Sequence, residues 1–138
     1  MNRLLQGDVS SGKTIVAILS SAIAVGNNFQ VAIMAPTEIL ARQHYLSFIG
    51  QMNKAKVTCA LLIGNMKKKE RTSIISGIKS NKIQIIIGTH ALIQKDVKFK
   101  KLNLVIIDEQ HRFGVNQRAS LVAKGENPNF LAMTATPI

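Results

Sequence analysis

Short apolar runs rich in Ile and Val alternate along this chain with longer segments whose apolar residues recur at helical spacing. That alternation is the pattern of βαβ units, which build parallel sheets. The runs predict strands over Arg3–Gln6, Gln30–Ala35, Thr58–Ile63, Gln84–Gly88, Leu104–Asp108 and Phe130–Met133. The periodic segments predict helices over Lys13–Val25, Glu38–Met52, Lys68–Ser80 and Asn116–Ala123. Ile83–Ile87 and Leu102–Ile107 are nearly all apolar, as strands are when helices cover both faces of the sheet. The expected class is therefore α/β, a mostly parallel sheet flanked by helices on both faces. No repeat, low-complexity tract or linker-like segment divides the 138 residues, a length that suits one domain around one core.

Composition narrows this picture in three ways. A hydrophobic fraction of 46% with 4% aromatic residues and no Trp implies a core of aliphatic side chains. The single cysteine, Cys59, has no internal disulfide partner and sits in an apolar run, where a thiol behaves as a small hydrophobe. With no signal-peptide pattern and no apolar stretch of roughly 18–20 residues, no membrane partner is expected and the cytoplasm is the expected location. Eighteen Lys and Arg against seven Asp and Glu give a net charge of +11, which favours polyanionic partners. A Lys-rich solvated surface accounts for the same charge equally well. The densest cluster, Lys67, Lys68, Lys69 and Arg71, is expected to open a helix on its solvent face, and Lys95, Lys98, Lys100 and Lys101 form a looser group.

Chemistry enters with Gly7-Asp8-Val9-Ser10-Ser11-Gly12-Lys13-Thr14, which fits the phosphate-loop pattern of Gly, four residues, then Gly-Lys-Ser/Thr. Gly7 and Gly12 permit backbone angles closed to other residues, so that successive N–H groups turn toward phosphate oxygens. The helix that follows presents its free N–H groups and positive dipole end to the same anion. Lys13 then supplies a cation for the β- and γ-phosphates, and the Thr14 hydroxyl is a ligand for Mg²⁺. The loop lies between an apolar strand and an apolar helix, which is the context the motif requires.

A metal-binding carboxylate is expected where a second buried strand ends, and Leu104-Val105-Ile106-Ile107-Asp108-Glu109 supplies it. Ligands of open α/β sheets gather at the carboxyl ends of strands, which predicts that Asp108 and Thr14 share one magnesium shell. Glu109 is the candidate for orienting or deprotonating the attacking water.

With both motifs in hand the chain resembles the superfamily two helicases, and within them the RecG branch of branched-DNA translocases. Asp108-Glu109-Gln110-His111 resembles the second helicase motif, and its extension Arg112-Phe113-Gly114-Val115-Asn116-Gln117-Arg118 is similar to RecG proteins in particular. Ala35-Pro36-Thr37-Glu38-Ile39-Leu40-Ala41-Arg42-Gln43-His44 resembles motif Ia, Gly88-Thr89-His90-Ala91-Leu92-Ile93-Gln94 the segment around Ib, and Met133-Thr134-Ala135-Thr136-Pro137-Ile138 motif III. The resemblance implies a RecA-like P-loop NTPase domain that takes ATP and Mg²⁺ and works on DNA with a second RecA-like lobe. Gln110 and His111 would sense the γ-phosphate, and Thr134 and Thr136 would couple the nucleotide to the DNA track. Thr37, Gln43 and Thr89 would face the DNA backbone.

Plainer roles stand beside these. Thr37 also reads as a helix N-cap, His111 as a loop histidine, and His44 as a residue of the helix surface. Arg112 and Arg118 suit DNA contacts or ion pairs. Ser10 stands where RecG proteins usually carry another Gly, which implies a tighter or shifted loop. Neither a second lobe with its arginine finger nor an amino-terminal wedge domain is expected within these residues, so an isolated lobe should hydrolyse ATP weakly or not at all. A small P-loop kinase would share the phosphate loop but not the Thr-rich coupling motifs, and a truncated remnant would bind nucleotide or DNA without turnover.

Overall fold

The computed structural model describes residues 2–6, 11–52, 57–108 and 115–134. In chain order the elements are β1 (Asn2–Gln6), α1 (Ser11–Gly26), β2 (Gln30–Met34), α2 (Glu38–Met52), β3 (Cys59–Leu62) and α3 (Lys68–Lys79). After them come β4 (Ile85–Gly88), a 3₁₀ turn (His90–Ile93), β5 (Leu102–Asp108), α4 (Val115–Val122) and β6 (Asn129–Thr134). All six expected strands and all four expected helices are present, with ends displaced by no more than two residues. The 3₁₀ turn was not anticipated: His90–Ile93 is too short to show a period.

The strands form one six-stranded sheet in the order β1-β6-β5-β2-β4-β3. Every pairing is parallel, a stricter outcome than the mostly parallel sheet expected. The order fixes where the helices lie, because crossovers between parallel strands are right-handed. The steps from β1 to β2 and from β2 to β3 run one way across the sheet, and the later steps run back. The helices α1 and α2 must then cover one face, and α3 and α4 the other.

The core divides accordingly. On one face Ala17, Ala24 and Val25 of α1 and Ala41, Phe48 and Met52 of α2 pack on Val31, Ile33, Ile85, Ile87, Leu104 and Ile106. On the other, Ile78 of α3, Leu92 of the 3₁₀ turn and Leu121 of α4 pack on Ala32, Met34, Ile86, Val105 and Ile107. Successive strand residues thus alternate between two apolar layers, which is why these strands read as unbroken apolar runs.

The turns have local causes. Three connections from helix to strand pass through an asparagine at positive φ: Asn28 (65°), Asn81 (65°) and Asn127 (51°). Asn tolerates this left-handed region better than most residues with a side chain. Close approach of backbones explains Gly88, since a Cβ there would lie 2.0 Å from the Leu62 carbonyl oxygen across the β3–β4 pair. Cys59, half-buried beside the first layer, keeps its thiol protonated, with burial pushing its pKa to about 11.

One polar side chain is built into the opposite, amino edge of the sheet. Gln30 is fully buried; its amide donates to the carbonyls of Ile78 at 2.7 Å and Ile83 at 2.9 Å. Its Oε1 accepts from the backbone N–H groups of Lys100 and Lys101, both at 2.9 Å. This one amide ties the start of β2 to the turn before β4 and the turn before β5. Gln30→Leu would strand several of these groups away from water, each at about 1–3 kcal/mol. Urea unfolding is expected to show a loss of about 3 kcal/mol or more for Gln30→Leu; a loss under about 1 kcal/mol would contradict this role for the side chain.

Candidate functional site

In a parallel sheet all the strands end at one edge, and register decides which ends are neighbours. Leu5 of β1 is opposite Met133 of β6, and Met133 is opposite Asp108 of β5. With neighbouring strands about 4.8 Å apart, the end of β1 comes within roughly 10 Å of Asp108 at the backbone. Thr134, paired with Gln6, closes the strand between them. The next row inward joins Gly88 of β4, Met34 of β2 and Ile107 of β5. The segments leading to Thr37 and Thr89 therefore leave the same edge.

Parity then sets the direction of the Asp108 side chain. Leu104 and Ile106 pack in the layer beneath α1 and α2, so Asp108, two positions further on, faces that side as well. The first turn of α1, which contains Ser11, Gly12, Lys13 and Thr14, starts on the same side at the same edge. There the description extends to the backbone alone, as it does at Thr134. Gly7, Asp8, Val9, Ser10, Glu109, Gln110, His111, Arg112 and Thr136 lie outside the described residues.

Asp108 is 3% exposed, and a carboxylate so buried needs hydrogen bonds to replace its water. One comes from an unanticipated source: His44 Nε2 lies 2.7 Å from Asp108 Oδ2, the two side chains being 14% and 5% exposed. The reading of His44 as a helix-surface residue is thereby overturned. Ala41, Phe48 and Met52 form the buried stripe of α2, and His44 lies three residues after Ala41 and four before Phe48. It therefore belongs to that stripe, on the side of the helix that meets the sheet. The same spacing was visible in the sequence, and a polar residue on an apolar stripe was the signal to follow.

The DNA-facing candidates divide. Thr37 is exposed and caps α2: its Oγ1 accepts the Leu40 N–H at 3.2 Å and its carbonyl accepts the Ala41 N–H at 3.0 Å. The N-cap role expected of it is present, and the cap leaves the residue at the surface. Gln43 faces solvent on α2, next to Arg42, which pairs with Glu38 at 3.2 Å. Thr89 is partly buried, and its carbonyl receives the Leu92 N–H at 3.0 Å, opening the 3₁₀ turn. Arg118 lies with its guanidinium 5.9 Å from the centre of the Phe130 ring, a cation–π contact within the domain.

The basic clusters also separate. Lys67, Lys68 and Lys69 are exposed where α3 begins, beyond the carboxyl end of β3. Arg71 is engaged by both carboxylate oxygens of Asp96, at 2.6 and 2.9 Å, and by Gln94 Oε1. This contact holds the Asp96 carboxyl below its usual range. Lys100 and Lys101 lie at the amino edge, beside a groove of about 460 Å³ bordered by Phe29 and Gly125, away from the Asp108 row.

Among the described residues no group of three or more His, Cys, Asp or Glu could hold a metal ion. Mg²⁺ is typically held by one or two protein oxygens together with substrate phosphates rather than in an all-protein cage. A buried carboxylate oxygen at the end of β5 is a fitting hard donor for such an ion.

Known proteins are similar to this chain over its whole length. ATP-dependent DNA helicase RecG of Aquifex aeolicus is 54% identical over 140 residues, covering 100% of this chain but 18% of that protein. A structure of RecG bound to a three-way DNA junction superimposes with a TM-score of 0.86 at 51% identity, covering 100% of this chain and 18% of that one. Mycobacterium smegmatis helicase Lhr, bound to single-stranded DNA and AMP-PNP, is alike in fold alone: TM-score 0.79 at 12% identity, over 98% of this chain and 19% of that one. The chain thus spans about a fifth of the length of the RecG proteins it matches. No helix among the described residues is long and apolar enough to cross a membrane. The six-stranded parallel sheet, the motifs at its carboxyl edge and a family match over residues 1–138 agree: the chain belongs to the DEAD/DEAH box helicases.

Proposed function

We propose that this chain is the ATP-binding first RecA-like lobe of a RecG-like DNA helicase or translocase. Residues 1–138 act as one such lobe. It works with a second RecA-like lobe and a wedge domain on branched DNA, in the recombination and repair of the cytoplasmic chromosome. The observation that carries this reading is the row Leu5–Met133–Asp108, which brings the exit of the phosphate-loop strand beside the buried acidic strand end.

In this reading the backbone of Gly7 to Gly12, with Asp8, Val9, Ser10 and Ser11 between, wraps the phosphates of ATP. Lys13 neutralises the β- and γ-phosphates. Thr14 and Asp108 would hold Mg²⁺, which would neutralise charge on the phosphate oxygens. Glu109 orients or deprotonates the attacking water, and Gln110 and His111 report the γ-phosphate to Thr134 and Thr136. Thr37, Gln43 and Thr89 meet backbone phosphates, which position the DNA without reading its sequence. Lys67, Lys68 and Lys69 add positive charge that meets further backbone phosphates of the DNA track.

Three measurements test the assignment. A charge-assisted contact contributes about 1.5–3 kcal/mol, so Lys13→Ala is expected to weaken ATP binding by roughly 10-fold or more in a fluorescence titration; equal affinity would reject the phosphate-loop assignment. Glu109→Gln is expected to leave nucleotide affinity nearly unchanged and to remove residual phosphate release, whereas retained turnover would take the water-activating role from Glu109. Replacing Lys67, Lys68 and Lys69 together with Ala is expected to lower the slope of log K against log salt for duplex DNA by about 0.9 for each phosphate no longer neutralised. An unchanged slope would remove these lysines from the DNA track.

A further inference from the structure

We infer that His44 is a positioning residue for the magnesium site: through its bond to Oδ2 it fixes the Asp108 carboxylate in the orientation that receives the metal shell. The inference rests on the reading of Asp108 as a metal-shell ligand and deepens it. His44 is carried by α2, in the segment matched to motif Ia and otherwise associated with the DNA face, so nothing in that assignment gives it a part in the nucleotide site.

The geometry gives the imidazole few other roles. Facing a carboxylate oxygen, Nε2 is placed to donate its hydrogen to Oδ2 across the 2.7 Å contact. Both side chains are largely withdrawn from solvent, where a hydrogen bond to a charged group is stronger than in water. An Asp side chain has two soft torsions, and Mg²⁺ demands near-octahedral placement of its oxygens. The bond to His44 restricts Oδ2, and the fixed geometry of the carboxyl group then directs Oδ1. The anchor is itself stiff, because His44 lies between Ala41 and Phe48, both fully buried against the sheet.

Hydrogen-bonding partners of metal-binding side chains typically contribute 10–100-fold in metal affinity. The test compares three variants of the chain, His44→Phe, His44→Asn and His44→Gln, with Asp108→Asn as reference. Gln carries an amide N–H close to where Nε2 sits in His, while the Asn amide falls short of it. Mn²⁺ uptake in the presence of ADP is measured by electron paramagnetic resonance, and ADP affinity is measured separately in EDTA. Thermal melting reports folding.

His44→Phe and His44→Asn are expected to weaken Mn²⁺ uptake about 10-fold or more with metal-free ADP affinity unchanged, and His44→Gln to restore uptake to within about threefold. A residue that only packed would show no such difference between Asn and Gln. If the Phe variant does not fold, the Asn and Gln pair decides the matter alone. Wild-type uptake in His44→Asn, with uptake abolished in Asp108→Asn, would overturn the inference and leave the metal reading intact. Unchanged uptake in Asp108→Asn would overturn both.

Discussion

The arrangement depends on one constraint, the parallel register of β1, β6 and β5. Parallel strands place all their carboxyl ends at one edge, and the pairing of Leu5 with Met133 and of Met133 with Asp108 makes two remote segments neighbours. A shift of one residue in β5 would turn Asp108 from the α1 side of the sheet to the α4 side, because side chains alternate with a period of two. The apolar residues Leu104 and Ile106 resist that shift, since it would exchange the two layers that pack on β5. The carboxylate owes its direction to the hydrophobic core beneath it.

The two edges of the sheet are built on different principles. At the amino edge the polar work is internal: the Gln30 amide is consumed by four backbone groups, and Lys124 Nζ is directed into the carbonyls of Gln94 and Val97 at 2.8 and 2.6 Å. Partial burial lowers the Lys124 pKa, and the charge of Asp96 opposes that shift. At the carboxyl edge, in contrast, Thr37 caps α2 from an exposed position and His44 bonds the buried Asp108 carboxylate.

Much of this was legible in the sequence, for identifiable reasons. The apolar runs gave the strands because both faces of the sheet are covered. The spatial order of the strands was not legible, since β1 and β2 are consecutive in the chain yet separated by β6 and β5. The 3₁₀ turn was missed for want of length. His44 was missed for a different reason: its motif placed it at the end of a DNA-facing segment, while its spacing from Ala41 and Phe48 put it on the buried stripe. Thr37 was read correctly as a cap, a role that local sequence can specify because donor and acceptor are three residues apart.

The helix α2 draws these features together. Its first residue follows a capping threonine at the end of β2, and its second turn delivers His44 to the end of β5. Between those points lies less than two turns of helix, a length over which a helix moves as a rigid body. If Thr37 meets a DNA phosphate as proposed, a displacement of that end of α2 is felt at the bond between His44 and Asp108 with no intermediary other than the helix itself. Coupling between two ligands requires an element whose position both of them bias. Among the described residues α2 spans both places: its capped end is a candidate DNA contact, and His44 bonds the carboxylate proposed for the nucleotide's metal.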